Sequence, residues 1–322
     1  MLGKLNTALV LLVALVIASP AGAQSAADTA IDATTLESPV GPSAFTLLPS
    51  AESVDSASQL HFGLTTVYSR RPLLLVRGED EREAVGARVD LDVSIAAFMA
   101  TGFTFGVVMP LVLVQYGVFG APLRGSDQPA RVVVISPRDL RLGGSWLAYS
   151  RGPGGRRECT LPAPRVRVLV LGEMILATGT PGLFAGADGV HGSLGVSADY
   201  GVSAWQFSGH TSLKVRPVVE VGAARVGSEL RVAGGVARRF ANDRLQVTVE
   251  GEARLRLNEQ GAGADGSQHT VEYGVGLRYR PPIDEPYTIL FHIGSGIGGL
   301  GAPALRVIFG IRYGNRLPTR RN

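Results

Sequence analysis

From Gln59 to Tyr313 the chain alternates apolar and polar residues with a period of two, over segments longer than most soluble strands. Leu245, Val247, Val249, Ala253, Leu255 and Leu257 interleave with Gln246, Thr248, Glu250, Glu252, Arg254 and Arg256. Val85, Ala87, Val89, Leu91, Val93 and Ile95 interleave with Arg88, Asp90, Asp92 and Ser94. Trp205, Phe207, Thr211, Leu213 and Val215 do so with Gln206, Ser208, His210, Lys214 and Arg216. Leu60, Phe62, Leu64 and Tyr68 face away from His61, Gly63, Thr65 and Ser69. Period two is the signature of a strand whose two faces meet different surroundings.

Eight further segments carry the pattern: Phe103–Gln115, Asp139–Tyr149, Arg165–Ala177, Val190–Tyr200, Ser228–Ala237, Val271–Arg280, Tyr287–Ile297 and Leu305–Tyr313. The total is twelve, an even number. Each runs to about 9–13 residues, where a tilted membrane-crossing strand needs about 9–11 and a soluble strand about 5–6. A secreted β-sandwich would also alternate, but its polar face would be solvated and its apolar face shared between two sheets. Long strands with a charge-rich inner face favour an all-β fold: a transmembrane antiparallel up-and-down barrel of about twelve strands, lipid outside and a polar lumen within. Ser94–Gly120 carries no charge and could pass for a membrane helix. Thr101-Gly102 divides it, Pro110 interrupts its second half, and the alternation makes it a hairpin.

This reading accounts for the composition. Only 18% of the 322 residues are charged, against about 25% in soluble proteins, while 45% are hydrophobic. One cysteine, Cys159, excludes an internal disulfide framework, and the 31 Lys and Arg are diluted by 27 acids, so no nucleic-acid face is implied. Met1–Ala23 has a basic start, an apolar run and an Ala-Gly-Ala end, the pattern of a secretory signal peptide cut before Gln24. Gln24–Ser58 holds five acids and no base, and reads as a flexible periplasmic lead-in with a short tethered piece around Phe45–Leu48. The barrel is expected over residues 59–316, with a basic tail at 317–322.

With Gln59 at the periplasmic side, Met99–Gly102, Gly201–Ala204, Phe240–Arg244 and Pro281–Pro286 become short periplasmic turns. Arg70–Glu83, Tyr116–Arg138, Pro217–Gly227 and Glu259–Thr270 become longer outer loops. Ser150–Pro164 is the exception, a long link on the short side. Phe62, Phe103, Phe105, Trp146, Tyr200, Trp205, Tyr279, Tyr287 and Tyr313 all point outward by parity near the periplasmic ends, as an interfacial aromatic girdle requires. Tyr68 and Tyr273 mark a thinner opposite rim.

Inward parity selects Arg88, Asp90, Asp92, Arg141, Arg165, Arg167, Glu173, Asp199, Lys214, Arg216, Glu229, Arg231, Glu250, Glu252, Arg254, Arg256, Arg278, Arg306 and Arg312. Arginine exceeds acid here, which would bias a pore toward anions. The competing arrangement is a cross-strand lattice of ion pairs that fills the barrel. A two-residue turn at Asn242-Asp243 would set Glu229 opposite Arg256, and Arg231 opposite Arg254, the latter needing neighbouring acids. His191 with Ser193, and His210 with Ser212, share inward faces and could make a nucleophile–base pair with Asp199, but such residues are ordinary in a polar lumen. Gly294–Gly299 matches G-x-G-x-x-G without the strand-to-helix context that phosphate binding needs. The acidic run Glu79–Glu83 reads as a solvated loop. No catalytic set, cofactor or metal site is expected.

Three runs carry a family resemblance: Pro49-Ser-Ala-Glu-Ser-Val-Asp-Ser-Ala-Ser-Gln-Leu-His-Phe-Gly-Leu64, Gly106-Val-Val-Met-Pro-Leu-Val-Leu-Val-Gln-Tyr116 and Asp139-Leu-Arg-Leu-Gly143. They resemble the porin-like N-terminal barrel of OmpA-type outer-membrane proteins, over Ala44–Arg316. That family often adds Asp-rich repeats and a peptidoglycan-binding domain. This chain ends nine residues after Tyr313 without them, so cell-wall tethering is not implied. Phe309, Ile311 and Tyr313 look like the strand that barrel-assembly machinery reads. The expected partners are outer-membrane lipid, lipopolysaccharide, that machinery and small polar solutes, with no nucleic acid. The expected function is a porin-like channel with weak anion preference. A non-conducting structural or adhesive barrel and an outer-membrane hydrolase are the alternatives.

Overall fold

The computed structural model describes residues 39, 43–50, 58–77, 80–99, 101–117, 131–151, 165–179, 186, 189–221, 224–240, 244–257, 269–281, 287–298 and 302–316. The signal segment Met1–Ala23, Cys159 and the basic tail lie outside them. Fifteen strand segments occur in order among the described residues: β1 Gln59–Arg77, β2 Asp80–Phe98, β3 Phe103–Gly117, β4 Arg131–Pro137, β5 Leu140–Arg151, β6 Arg165–Leu176, β7 His191–Val202 and β8 Trp205–Val215. Then come β9 Val219–Val221, β10 Ala224–Val226, β11 Glu229–Phe240, β12 Leu245–Arg256, β13 Thr270–Tyr279, β14 Tyr287–Gly298 and β15 Leu305–Arg316. No helix occurs among the described residues.

Every pairing is antiparallel, and the order closes on itself because β1 pairs with both β2 and β15 while β2 pairs with β3. Closure joins the staves into a ring, which satisfies the backbone of the wall from stave to stave, the condition for a sheet to sit in hydrocarbon. β4 and β5 share one place in the wall, β4 on the far part of β3 and β5 on the near part. The barrel therefore has twelve staves. β9 and β10 form a separate small hairpin inside the predicted Pro217–Gly227 link.

The break between β4 and β5 has a visible cause. β5 pairs with β3 up to Val108↔Arg141, and β4 takes over from Leu111↔Pro137. Pro110 lies at the handover and has no N–H to offer a ladder. Its carbonyl accepts the Arg138 N–H at 3.0 Å instead. Much of the predicted Tyr116–Arg138 loop is thus strand. So is most of Arg70–Glu83: β1 and β2 pair out to Arg77↔Asp80, taking in all but the first residue of the acidic run. At 19 residues each, these two strands reach about 60 Å along their length, well beyond an apolar band about 25 Å tall.

Gln59 and Arg316 pair at one end of the barrel, the terminal end. The Met99–Gly102 turn closes there through Gly102 N–H to Met99 C=O at 2.9 Å, with Gly102 at φ 84°. Between Val202 and Trp205 only Ser203 and Ala204 intervene. Ser203 has φ 53°, a left-handed conformation that costs a residue with a Cβ about 1–2 kcal/mol. Ser203→Gly should accordingly raise stability by about 1 kcal/mol, read as a higher denaturant midpoint for the lipid-refolded barrel.

Parity holds along β12, where Gln246, Thr248, Glu250, Glu252 and Arg254 are buried and Val249 and Leu255 exposed. Elsewhere bulges reset it. Leu113 has no partner between Val112↔Asp90 and Val114↔Val89, so Gln115 turns inward and Tyr116 outward. Ala148 is skipped between Leu147 and Tyr149, which sends Tyr149 outward at 47% exposure. Register shifts on both sides of Val85 turn that residue inward, where it is fully buried rather than facing lipid as the alternation predicts.

Candidate functional site

The lumen is a lattice of charge. Arg231 and Arg254 are direct cross-strand partners, as are Glu229 and Arg256, the register the sequence predicts for this hairpin. Two like charges opposite one another repel. Glu252 resolves the conflict: its carboxylate accepts from Arg254 Nε and pairs with Arg231 Nη2. Arg88 Nε donates to Asp90 at 2.6 Å, Arg141 Nε to Glu173 at 2.5 Å and Arg216 Nη2 to Glu229 at 3.3 Å. Arg306 pairs with Glu272, and Arg138 lies 3.8 Å from Asp90 and 3.7 Å from Asp92. Arg138 and Glu272 fall outside the inward set that parity selects. Alternation alone puts Arg138 in a loop, whereas the strand break places it in the wall.

Of the other residues in that set, Asp199 is buried, and Arg167, Lys214, Arg256, Arg278 and Arg312 are partly buried on inward rungs. Arg165 departs from the expectation. It opens β6 opposite Gly201 at the terminal end and is exposed at the rim, where the last rung leaves the lumen.

His210 Nε2 lies 3.1 Å from Ser212 Oγ, so a histidine–serine contact exists. Asp199, however, sits in register with Arg167 and Ser208, one inward rung away from His210, and does not complete a triad in line. His191 Nδ1 is 3.4 Å from the Gly189 carbonyl.

The feature that most alters the lumen is a piece of the lead-in. Ser43–Ser50 lies inside the barrel, and Ala44, Phe45, Leu47 and Leu48 are all buried, Leu48 completely. Phe45, Leu48 and Ala44 cluster with Ala233 and Ala237 of β11, while Leu47 joins Val67, Leu290 and Ile308 across the barrel. A Cβ on Gly235 would come within 2.8 Å of the Phe45 ring and 2.9 Å of Leu48, so this inward glycine makes the seat.

The wall holds the segment chiefly by its main chain. The Glu250 carboxylate accepts the Thr46 N–H at 2.9 Å and the Leu47 N–H at 2.7 Å. Arg231 donates to the Leu47 carbonyl at 2.5 Å, Gln246 to the Ala44 carbonyl at 3.2 Å and Arg312 to the Ser43 carbonyl at 3.3 Å. Ser197 Oγ donates to the Pro49 carbonyl at 2.8 Å, and Gln206 Nε2 to Ser50 Oγ at 3.1 Å. Ser43 folds the piece on itself, accepting the Phe45 N–H at 3.1 Å and donating to the Leu48 carbonyl at 2.5 Å. The predicted tethered piece, Phe45–Leu48, is the centre of a longer plug.

Space remains beside the segment. A cavity of about 710 Å³, counting the part open to solvent, is lined by Pro39 and Pro49 together with Arg141, Glu173, Lys214, Glu229, Arg231, Arg254, His210 and several glycines. A second, of about 380 Å³, lies by His61, Asp92, Ser94 and Arg312.

Outside, the aromatics gather at the terminal end. Tyr287 and Tyr313 are cross-strand partners with ring centroids 5.0 Å apart, and Phe62 is the next partner of Tyr313. Phe103 stacks on Trp146 at 6.1 Å and on Phe105 at 6.3 Å. Tyr200 lies beside Phe207, and Phe207 beside Trp205. Tyr279 is exposed in the same tier, opposite Leu245. The Arg238 guanidinium sits 5.0 Å from the Trp205 and Phe240 rings.

No family model matches the chain, and no curated protein matches it. Among solved structures, an outer membrane channel from Pseudomonas putida F1 aligns with TM-score 0.53 and 10% identity over 86% of this chain and 100% of that one. The translocator domain of the autotransporter NalP from Neisseria meningitidis aligns with TM-score 0.41 and 10% identity, over 82% and 90% of the two chains. The deltaS2S3 mutant of the TodX monoaromatic hydrocarbon channel gives 0.40 and 10%, over 81% and 91%. The first of these likenesses shows the fold, a closed β-barrel of the outer-membrane type.

Proposed function

We propose that the chain is an outer-membrane channel for passive passage of small polar solutes, with weak anion preference, and that Ser43–Ser50 narrows it in the state described. The observation that carries this reading is the two-faced wall: apolar side chains and an aromatic tier outside, paired charges and cavities inside. Bases exceed acids among the inward side chains named above, which supports the preference for anions. The same wall supports residence in the outer membrane, reached after removal of Met1–Ala23, with lipid and lipopolysaccharide against its exterior and the assembly machinery reading its last strand. Kinship with OmpA-type barrels rests on the three sequence runs.

The plug favours a second reading, a structural barrel that does not conduct. Recording in planar bilayers separates the two. The channel reading expects small unitary steps from the full chain and a reversal potential, under a salt gradient, displaced toward that of the anion. A folded, heat-modifiable barrel that shows no steps would support the structural reading and overturn the first.

A further inference from the structure

We infer that the lumen wall around Glu250 is a peptide-binding site, filled in cis by Ser43–Ser50, that accepts in trans a short apolar peptide of other origin. The inference goes beyond the channel reading and does not depend on conduction.

Its basis is what the wall touches. Glu250, Arg231, Gln246, Ser197 and Arg312 all bind main-chain atoms of the segment, two N–H groups and four carbonyls. Every residue offers the carbonyl and every residue except proline the N–H, so these contacts recognise a peptide without recognising its sequence. Selectivity comes from two separate apolar seats. Gly235 leaves room for the Phe45 and Leu48 side chains, and Val67, Leu290 and Ile308 receive Leu47 from another part of the wall. Main-chain hydrogen bonds supplying affinity and side-chain pockets supplying choice is the division of labour seen when extended peptides are bound along a strand. A segment that served only as filler would need neither a buried carboxylate aimed at consecutive amides nor a guanidinium on a carbonyl. The Glu250 side chain is fully buried, and the amides of Thr46 and Leu47 converge on it. These contacts define the class of ligand: a short peptide with an aromatic residue and two leucines at the spacing of Phe45, Leu47 and Leu48, and no proline at the positions of Thr46 and Leu47.

The test uses the full chain carrying Phe45→Asp and Leu48→Asp, which puts two charges into the apolar seat and releases the segment. The probe is a fluorescein-labelled synthetic peptide of sequence Ser-Ala-Phe-Thr-Leu-Leu-Pro-Ser, read by anisotropy in detergent or nanodiscs. With the tethered segment no longer competing for the seat, the variant should bind the probe at least about tenfold more tightly than the wild type. The same peptide N-methylated at the two amides that meet Glu250 should lose at least about tenfold, as should the variant with Glu250→Gln added. A peptide that keeps only Phe, Leu and Leu in place should bind within a few-fold of the parent. Equal binding of the N-methylated peptide, or no gain in a variant that retains its heat-modifiable mobility, would overturn the inference. Leu48→Asp alone serves if the double variant does not refold. Bilayer currents of the same variant are recorded separately: conduction without peptide binding sinks this inference and spares the channel, and binding without conduction does the reverse.

Discussion

Replacing Glu252 by glutamine should destabilise the barrel by about 3–5 kcal/mol, the usual cost of breaking a buried ion pair from one side. The Glu252 carboxylate bridges Arg231 and Arg254, which face each other directly across β11 and β12. A neutral amide removes the charge that this carboxylate sets against two opposed guanidiniums in a desolvated wall. The loss should appear in denaturant unfolding of the lipid-refolded protein, followed by fluorescence of Trp146 and Trp205. Replacing all three residues with apolar ones of similar volume, Arg231→Met, Arg254→Met and Glu252→Leu, should restore most of it, because a buried ionic cluster is a weak source of net stability. A loss below about 1 kcal/mol in the glutamine variant would show that the lattice does not hold the wall together.

Val249→Arg should cost about 2–4 kcal/mol, and only when the barrel is in lipid. Val249 is 58% exposed, and its row of cross-strand neighbours, Val236, Val275 and Ile293, is apolar throughout. It lies between the aromatic tier at the terminal end and the polar far rim, at the depth where a charge is most costly. Leu257→Arg, one residue past the far end of β12, should cost about 0–1 kcal/mol. The contrast between the two positions measures depth. Equal costs, or a cost unchanged in detergent-free buffer, would contradict a lipid-facing wall.

The sequence declares the barrel wherever alternation runs unbroken. β12 can be read residue by residue, inner face and outer face alike, and its register with β11 is set by one turn. Legibility stops at the bulges. Leu113 and Ala148 each shift the parity of the residues after them, and nothing local in their side chains announces a skipped partner, so Tyr149 escapes the aromatic tier when read by strict alternation. The strand break at Pro110 is visible as a proline, but its consequence, Arg138 entering the lumen, depends on β4 and β5 sharing one place in the wall. The plug is the least legible part. Its apolar island, Phe45–Leu48, stands out in an acidic lead-in, yet its seat is formed by Gly235, Glu250 and Arg231, about two hundred residues away, and no local periodicity encodes that meeting.

The most direct test of the channel held narrow by its own segment compares single-channel currents of the wild type with those of Phe45→Asp and of Gly235→Leu. The first change charges the plug, and the second fills its seat from the wall without altering the plug. Both should raise unitary conductance several-fold over the small steps of the parent while leaving the barrel folded. Currents unchanged in both variants, with the barrel intact, would contradict the account.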